Sequence, residues 1–199
     1  MSAQSSSPKF QRHLDLGFGQ NPRNPYNATE VFGIDIDPNA SSFGENFKCA
    51  NLSIDPIPFP DSFFDSVSGF DFLEHIPRQA IDFDKKLIKL PFIELMNEIH
   101  RVLKPNGLFY AVTPCYPSEE AFQDPTHVNI ITDRTHQYFC NSNGNYGFKG
   151  NFEAVEISWT NISYAQNIDN SFSIKLKRLH KKIFKGGNSH LLWQLKAIK

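Results

Sequence analysis

Short apolar runs separated by turn-forming residues occupy the first seventy positions. Arg12 to Leu16 (RHLDL) is apolar at its centre and runs straight into Gly17 and Gly19, which predicts a strand ending in a tight turn. Glu30 to Ile36 (EVFGIDI) concentrates β-branched and aromatic residues ahead of Asp35, Asp37 and the stop at Pro38, which predicts a second strand. Between the two lies NPRNPYN, whose two prolines and three asparagines predict no long regular helix. Phe47 to Leu52 (FKCANL) reads as a modest third strand, and PIPFPDS as a proline-rich connector. Phe64 to Phe70 (FDSVSGF) reads as a buried fourth strand.

The period then changes from two to about three and a half. Pro91 opens a segment in which Phe92, Leu95, Met96, Ile99 and Leu103 recur at helical spacing, the pattern of a core-facing helix. Lys104-Pro105-Asn106-Gly107 ends it, and Leu108 to Thr113 (LFYAVT) follows as a strand, completing a strand, helix, strand unit. Phe152 to Trp159 and His190 to Ile198 predict two more strands. Between them Phe172, Leu176, Leu179 and Ile183 share one face of a potential helix, with Lys175, Arg178, Lys182 and Lys185 elsewhere around it. The alternation predicts an α/β architecture: an open, mainly parallel sheet with helices on both faces, forming a single domain over residues 13–199 after a flexible leader, residues 1–12. In such sheets a ligand sits at the carboxyl ends of the strands, where the first and second strands would place their turns side by side.

Composition narrows the class. The 199 residues are 40% hydrophobic, enough for a core without disulfides. Cys49, Cys115 and Cys140 are odd in number and form no CxxC pair, which argues against a disulfide framework or a structural zinc site and predicts a reducing, cytoplasmic setting. The leader MSAQSSSPKFQR has no apolar stretch of signal-peptide length, and no run approaches the ~18 apolar residues of a membrane span. The net charge of −1 hides an asymmetry: up to Asn170 there are 12 basic and 21 acidic residues, whereas Ser171 to Lys199 holds 8 basic residues and no acid. An acidic body speaks against nucleic-acid binding. The basic segment is a solvated helix face or a contact for an anionic membrane surface or phosphorylated carrier.

Two glycines after the first strand let backbone approach a ligand closely. The third glycine of the dinucleotide fingerprint is missing, since Asn21 and Pro22 stand in its region, so a pyrophosphate site is not expected. Asp35, 18 residues beyond Gly17, can accept both hydroxyl protons of a ribose, and a nucleoside without phosphates fits the pair better. The histidines are scattered without i, i+4 pairing or cysteine partners, so no metal site is expected, and His136 reads as structural.

LDLGFG, VFGIDID, IPFPDSFFDSVSGFDFLEHI and EIHRVLKPNGLFYAVTP, in this order from about Leu14 to Thr113, resemble the class I S-adenosylmethionine-dependent methyltransferases, in particular the methyltransferase type 11 group. The resemblance implies a Rossmann-like seven-stranded sheet whose last strand is antiparallel, and S-adenosyl-L-methionine as cofactor. It assigns Asp15, Gly17 and Gly19 to the loop holding the methionine part and Asp35 to the ribose. Asn51 and Leu52 fall near the adenine and Phe70 at the methionine end, while Leu73, Glu74 and His75 match the LEH motif; from the residues alone, Glu74 and His75 equally cap a helix start. Asn21, Pro22 and Pro25 depart from the family pattern, as does the lack of a helix before the first strand. An oxygen acceptor must lose a proton, which makes His127 in Asp124-Pro125-Thr126-His127 the candidate catalytic base. Similar DPTH segments occur in methyltransferases of surface-polysaccharide pathways, which implies a small hydroxylated acceptor such as a sugar. The rival expectations are a catalytically silent binding or scaffold module, and an enzyme with a macromolecular acceptor contacted by the basic segment.

Overall fold

The computed structural model describes residues 10–140, 145–162 and 188–199. Strands β1 (Arg12–Leu16), β2 (Glu30–Asp35), β3 (Phe47–Cys49) and β4 (Phe64–Phe70) are followed by a small hairpin of β5 (Ala80–Asp82) and β6 (Leu87–Lys89). Helix α1 (Pro91–Val102) leads into β7 (Leu103–Pro114), and β8 (Phe152–Thr160) and β9 (His190–Ala197) close the chain. Seven of these strands form one sheet in the order β3-β2-β1-β4-β7-β9-β8. The pairs among β3, β2, β1, β4 and β7 are parallel, and β9 runs antiparallel to both β7 and β8. The carboxyl ends of β1, β2, β3, β4 and β7 therefore share one edge, and every chemistry-bearing segment predicted from the sequence leaves the sheet there.

Boundaries differ from expectation where local chemistry intervenes. β2 ends at Asp35 rather than Ile36, and β3 ends at Cys49 rather than Leu52, because Asn51 starts a turn whose carbonyl accepts the amides of Ile54 and Asp55. β7 begins at Leu103, already paired with Phe64, rather than at Leu108. Pro105 cannot continue a helix. Asn106 turns with φ 62°, and the register resumes at Ser66 and Leu108.

The sheet has two dissimilar faces. Leu14 and Leu16 of β1, Ile34 of β2, Val67 of β4, Phe109 of β7 and Trp193 of β9 are buried in one continuous core with Phe92, Leu95, Met96 and Ile99 of α1. Arg101 anchors the proline-rich connector to that helix by donating to the carbonyls of Ile57 and Phe59 while pairing with Glu98. The second face carries a smaller apolar group of Phe70, Tyr110, Val112 and Leu192. His13 and Asp15 alternate with Leu14 and Leu16 and so point to this second face. The segment after the glycine bend covers it without regular structure, where Pro22 and Pro25 disfavour a long helix. Tyr26 fills the space instead, its ring stacked 4.7 Å from Phe10 and edge-on to Tyr110 at 6.1 Å. Helices were expected on both faces; α1 is the one α-helix described from end to end. The helix expected around Phe172 to Ile183 and most of the leader lie outside the described residues. No described helix is long and apolar enough to cross a membrane.

Candidate functional site

The tip of β1 is tied to the tip of β2. Gly17 N donates to Ile34 O at 2.8 Å, and Gly17 (φ 65°) and Gly19 (φ 56°) both take the left-handed conformation that side chains disfavour. Gly19 N then donates to Asp35 Oδ2 at 2.9 Å, while Asp35 Oδ1 accepts the amide of Asp37 at 3.0 Å. A carboxylate offers about four lone-pair positions. Each oxygen is therefore held by one backbone amide and keeps one position for an incoming hydroxyl. The two glycines differ in their surroundings. A Cβ on Gly17 would lie 2.6 Å from the ring of Phe72, which also packs against Gly69, whereas a Cβ on Gly19 would meet nothing within 4 Å. Phe72 walls one side of the bend, and the open space lies beside Gly19 and Asp35.

Beneath the bend runs a buried polar relay. Ser68 Oγ donates to Asp15 Oδ1 at 2.6 Å, and Arg23 N donates to Asp15 Oδ2 at 2.7 Å. His13 Nε2 lies 2.9 Å from Ser68 Oγ and Nδ1 lies 2.8 Å from Ser66 Oγ. With the Ser68 proton committed to Asp15, Nε2 is the donor and Nδ1 accepts from Ser66, so the ring is neutral with both nitrogens satisfied. Burial pushes the imidazole down to about 3 and pushes Asp15 up to about 7, the latter against the opposing hydrogen bonds from Ser68 and Arg23. Asp15 is fully buried, so it fixes the path of the chain through Arg23 rather than facing the open space. Arg23 in turn reaches the carbonyl of Phe70 at the tip of β4, and its guanidinium lies 4.7 Å from the Phe70 ring centroid.

Asn51 and Leu52 stand beside Asp35, since Ala50 N donates to Asp35 O. The side chain of Asn51 is engaged locally, its Oδ1 accepting the amide of Ser53. Leu52 is buried in the core under α1. Ile36, directly after Asp35, is 65% exposed, an apolar residue at a strand tip that the sequence pattern had absorbed into β2.

A second group of side chains gathers at the same edge. Leu73, Glu74 and His75 form a single 3-10 turn after β4. The backbone carbonyl of Glu74 accepts the amides of Val128 and Asn129, and Asn129 Nδ2 donates to Leu73 O. These bonds carry His127 to the turn from more than fifty residues away. The His75 and His127 rings meet edge-on at 4.9 Å, and one candidate ligand atom from each of Glu74, His75 and His127 lies within 4.8 Å of the others. Glu74 is 1% exposed; its Oε2 accepts the Thr113 hydroxyl at 2.9 Å, and its Oε1 is buried with no partner among the described residues. Burial, reinforced by the nearby carboxylate of Asp71, pushes Glu74 up to about 8. His127 Nδ1 is likewise buried and unpartnered, and Nε2 lies 3.9 Å from Asp124 Oδ2, too far for a hydrogen bond. Hydrogen bonds from Thr126 hold Asp124 below the usual carboxylate range.

The sequence did not single out a further pair. His190 Nε2 lies 3.0 Å from Asp71 Oδ1, and His190 Nδ1 lies 2.7 Å from Ser189 Oγ. Asp71 adopts φ 47° directly after β4. Its partner arrives 119 positions later on the antiparallel strand, a contact that no local spacing encodes.

Residues 14–111 match a methyltransferase domain family. None of the curated proteins compared with the chain matches it. Among solved structures, the chain is similar to an S-adenosylmethionine-dependent methyltransferase from Archaeoglobus fulgidus at 17% identity and a TM-score of 0.56, over 94% of this chain and 86% of that one. A chain from the Haloferax volcanii complex containing the Trm112 methyltransferase activator gives 17% identity and a TM-score of 0.59, over 96% and 85%. Geranyl diphosphate C-methyltransferase from Streptomyces coelicolor, solved with S-adenosyl-L-homocysteine, gives 13% and 0.53, over 94% and 72%. These likenesses show a shared fold.

Proposed function

We propose, from the premise that residues 14–111 belong to the methyltransferase domain family and that S-adenosylmethionine is the cofactor, that this protein methylates a small hydroxylated acceptor such as a sugar. The observation that carries this reading is the convergence, on one edge of the sheet, of the Gly19–Asp35 pair with the Glu74, His75 and His127 group. The space beside Gly19, which a Cβ would enter freely, and the two unfilled acceptor positions of Asp35 fit a ribose with vicinal hydroxyls. Ile36 offers an apolar contact for the adjoining base, and the backbone at Asn51 stands on the same side. Phe70, held through its carbonyl by Arg23, marks the methionine end. Asp15 acts at one remove, by fixing Arg23.

The cofactor supplies an electrophilic methyl group on a sulfonium. What remains for the chain is to align an acceptor, keep water out and take up a proton. His127 is assigned as proton acceptor for the hydroxyl, at the carboxyl edge that also presents Asp35. An acceptor of nitrogen or sulfur needs less of such a group, which favours oxygen. A contact of the basic segment 171–185 with a phosphorylated carrier or anionic membrane surface belongs to the same proposal.

The test is transfer of a labelled methyl group from S-adenosylmethionine to a panel of free sugars and sugar nucleotides, run beside total RNA and cell protein. Label on a sugar is expected. Label confined to RNA or protein would overturn the choice of acceptor, and no transfer together with no binding of S-adenosylhomocysteine by the folded chain would favour a silent scaffold.

A further inference from the structure

We propose that Glu74, His75 and His127 form a binding site for a divalent first-row transition-metal ion of the zinc class. The histidines looked scattered along the sequence, but the fold sets one carboxylate oxygen and two imidazole nitrogens within 4.8 Å of one another. A modest contraction would bring all three to the roughly 2.0–2.2 Å bond lengths such an ion makes with nitrogen and carboxylate oxygen.

Two of the three ligands carry an orphaned atom. Glu74 Oε1 and His127 Nδ1 are both buried and accept or donate nothing among the described residues. Buried polar atoms without partners cost stability, so an unpaired carboxylate oxygen and an unpaired imidazole nitrogen on one small cluster require a common explanation. A cation satisfies both at once.

The third ligand is prepared by its hydrogen bonds. His75 Nδ1 lies 3.1 Å from Thr126 Oγ1 and 3.3 Å from Thr126 O. The Thr126 hydroxyl donates its proton to Asp124 at 2.7 Å, and a carbonyl can only accept. Nδ1 must therefore carry the proton, which leaves the Nε2 lone pair of His75 free to coordinate. A metal-binding histidine commonly donates its other N–H to a carbonyl or carboxylate-linked group in this way. Thr113 plays the matching part for Glu74, donating to Oε2 at 2.9 Å while Oε1 stays without a partner among the described residues. The carboxylates of Asp71 and Asp124 add negative potential at Glu74.

Two imidazoles and one carboxylate favour zinc, iron or manganese over magnesium, which prefers all-oxygen surroundings. Three protein ligands leave at least one coordination position open. The role of that position rests on the proposed function: in the ion-free chain His127 is the proton acceptor, and where the ion is bound it would make the acceptor hydroxyl more acidic in place of His127. Whether the ion binds does not depend on that reading.

The test uses the full-length chain stripped with chelator, dialysed against zinc chloride and assayed for bound metal by mass spectrometry. Parallel dialysis uses manganese and magnesium chloride. About one zinc per chain is expected, with magnesium bound more weakly. His127→Ala, His75→Ala and Glu74→Gln each lower zinc affinity at least tenfold, and Thr126→Val lowers it by about 10- to 100-fold while leaving the ligands in place. Circular dichroism confirms that each variant is folded. Cobalt(II) in place of zinc gives visible absorption bands in the wild type that His127→Ala abolishes. No zinc on the folded wild-type chain, or zinc binding that none of the variants alters, would overturn the proposal. S-adenosylhomocysteine titration of the stripped chain separates the two claims: cofactor binding without metal binding sinks the ion alone, and metal binding without cofactor binding sinks the functional reading alone.

Discussion

His13 and Asp15 share one hydroxyl: Ser68 Oγ lies 2.9 Å from His13 Nε2 and 2.6 Å from Asp15 Oδ1. Both groups are fully buried, so each resists its charged form, and their effects on stability have opposite signs. Burial lowers His13 from 6.5 to about 3, so its contribution is complete above about pH 6.5 and is lost as the pH falls toward 3. Burial raises Asp15 from 3.8 to about 7, so its contribution is complete below about pH 4 and is lost as the pH rises through 7. Between roughly pH 4 and 6.5 the folded chain keeps the Asp15 proton and omits the His13 proton, the unfolded chain does the reverse, and the two slopes cancel.

Single substitutions expose the slopes. Asp15→Asn leaves His13, and stability falls as the pH drops from 6.5 toward 4, by up to about 1.4 kcal/mol per pH unit. His13→Gln leaves Asp15, and stability falls as the pH rises from 4 toward 7. Urea denaturation at several pH values measures both. Parallel profiles for the two variants would contradict the relay.

The two glycines of the bend separate folding from binding. Gly17→Ala combines a left-handed backbone, which costs about 1–2 kcal/mol for a side chain, with a Cβ placed 2.6 Å from the Phe72 ring. Gly19→Ala carries the backbone cost alone, because its Cβ enters open space. Denaturant melts should show the larger loss for Gly17→Ala, with partial recovery in the Phe72→Ala background. Gly19→Ala should fold and bind S-adenosylhomocysteine less tightly. Equal stability of the two alanine variants would contradict the packing at Gly17.

His127→Ala should lower turnover on the sugar acceptor by about 10²- to 10⁴-fold with cofactor affinity unchanged, whether the imidazole takes the proton or holds the ion. Steady-state kinetics and S-adenosylhomocysteine titration read the two quantities separately. Unchanged turnover would remove His127 from the chemistry.

What was legible in the sequence was local. The apolar-to-glycine step at Leu16–Gly17, the acid at the tip of EVFGIDI and the helical stripe from Phe92 to Ile99 each depend on neighbours within one element. The strand boundaries slipped where a side chain rather than the backbone pattern decides, as at Asn51, whose Oδ1 accepts the amide of Ser53 and turns the chain early. The buried position of Asp15 follows from its place on β1 between β2 and β4, but its tie to Arg23 N, across a segment interrupted by Pro22 and Pro25, was not legible. Glu74 with His127 and Asp71 with His190 were illegible as pairs, because the backbone bonds of Val128 and Asn129 to Glu74 and the antiparallel insertion of β9 bring them together.

A nucleoside held between the Gly19 bend and the carboxylate of Asp35 is checked by calorimetric titration of wild type and Asp35→Ala with S-adenosylhomocysteine. Saturable binding to the wild type is expected, with a loss of about 1.5–3 kcal/mol in the variant, roughly 10- to 100-fold, because the ribose loses hydrogen bonds to a charged group. No heat of binding at millimolar ligand for folded wild-type protein, or equal affinity for the two chains, would contradict it.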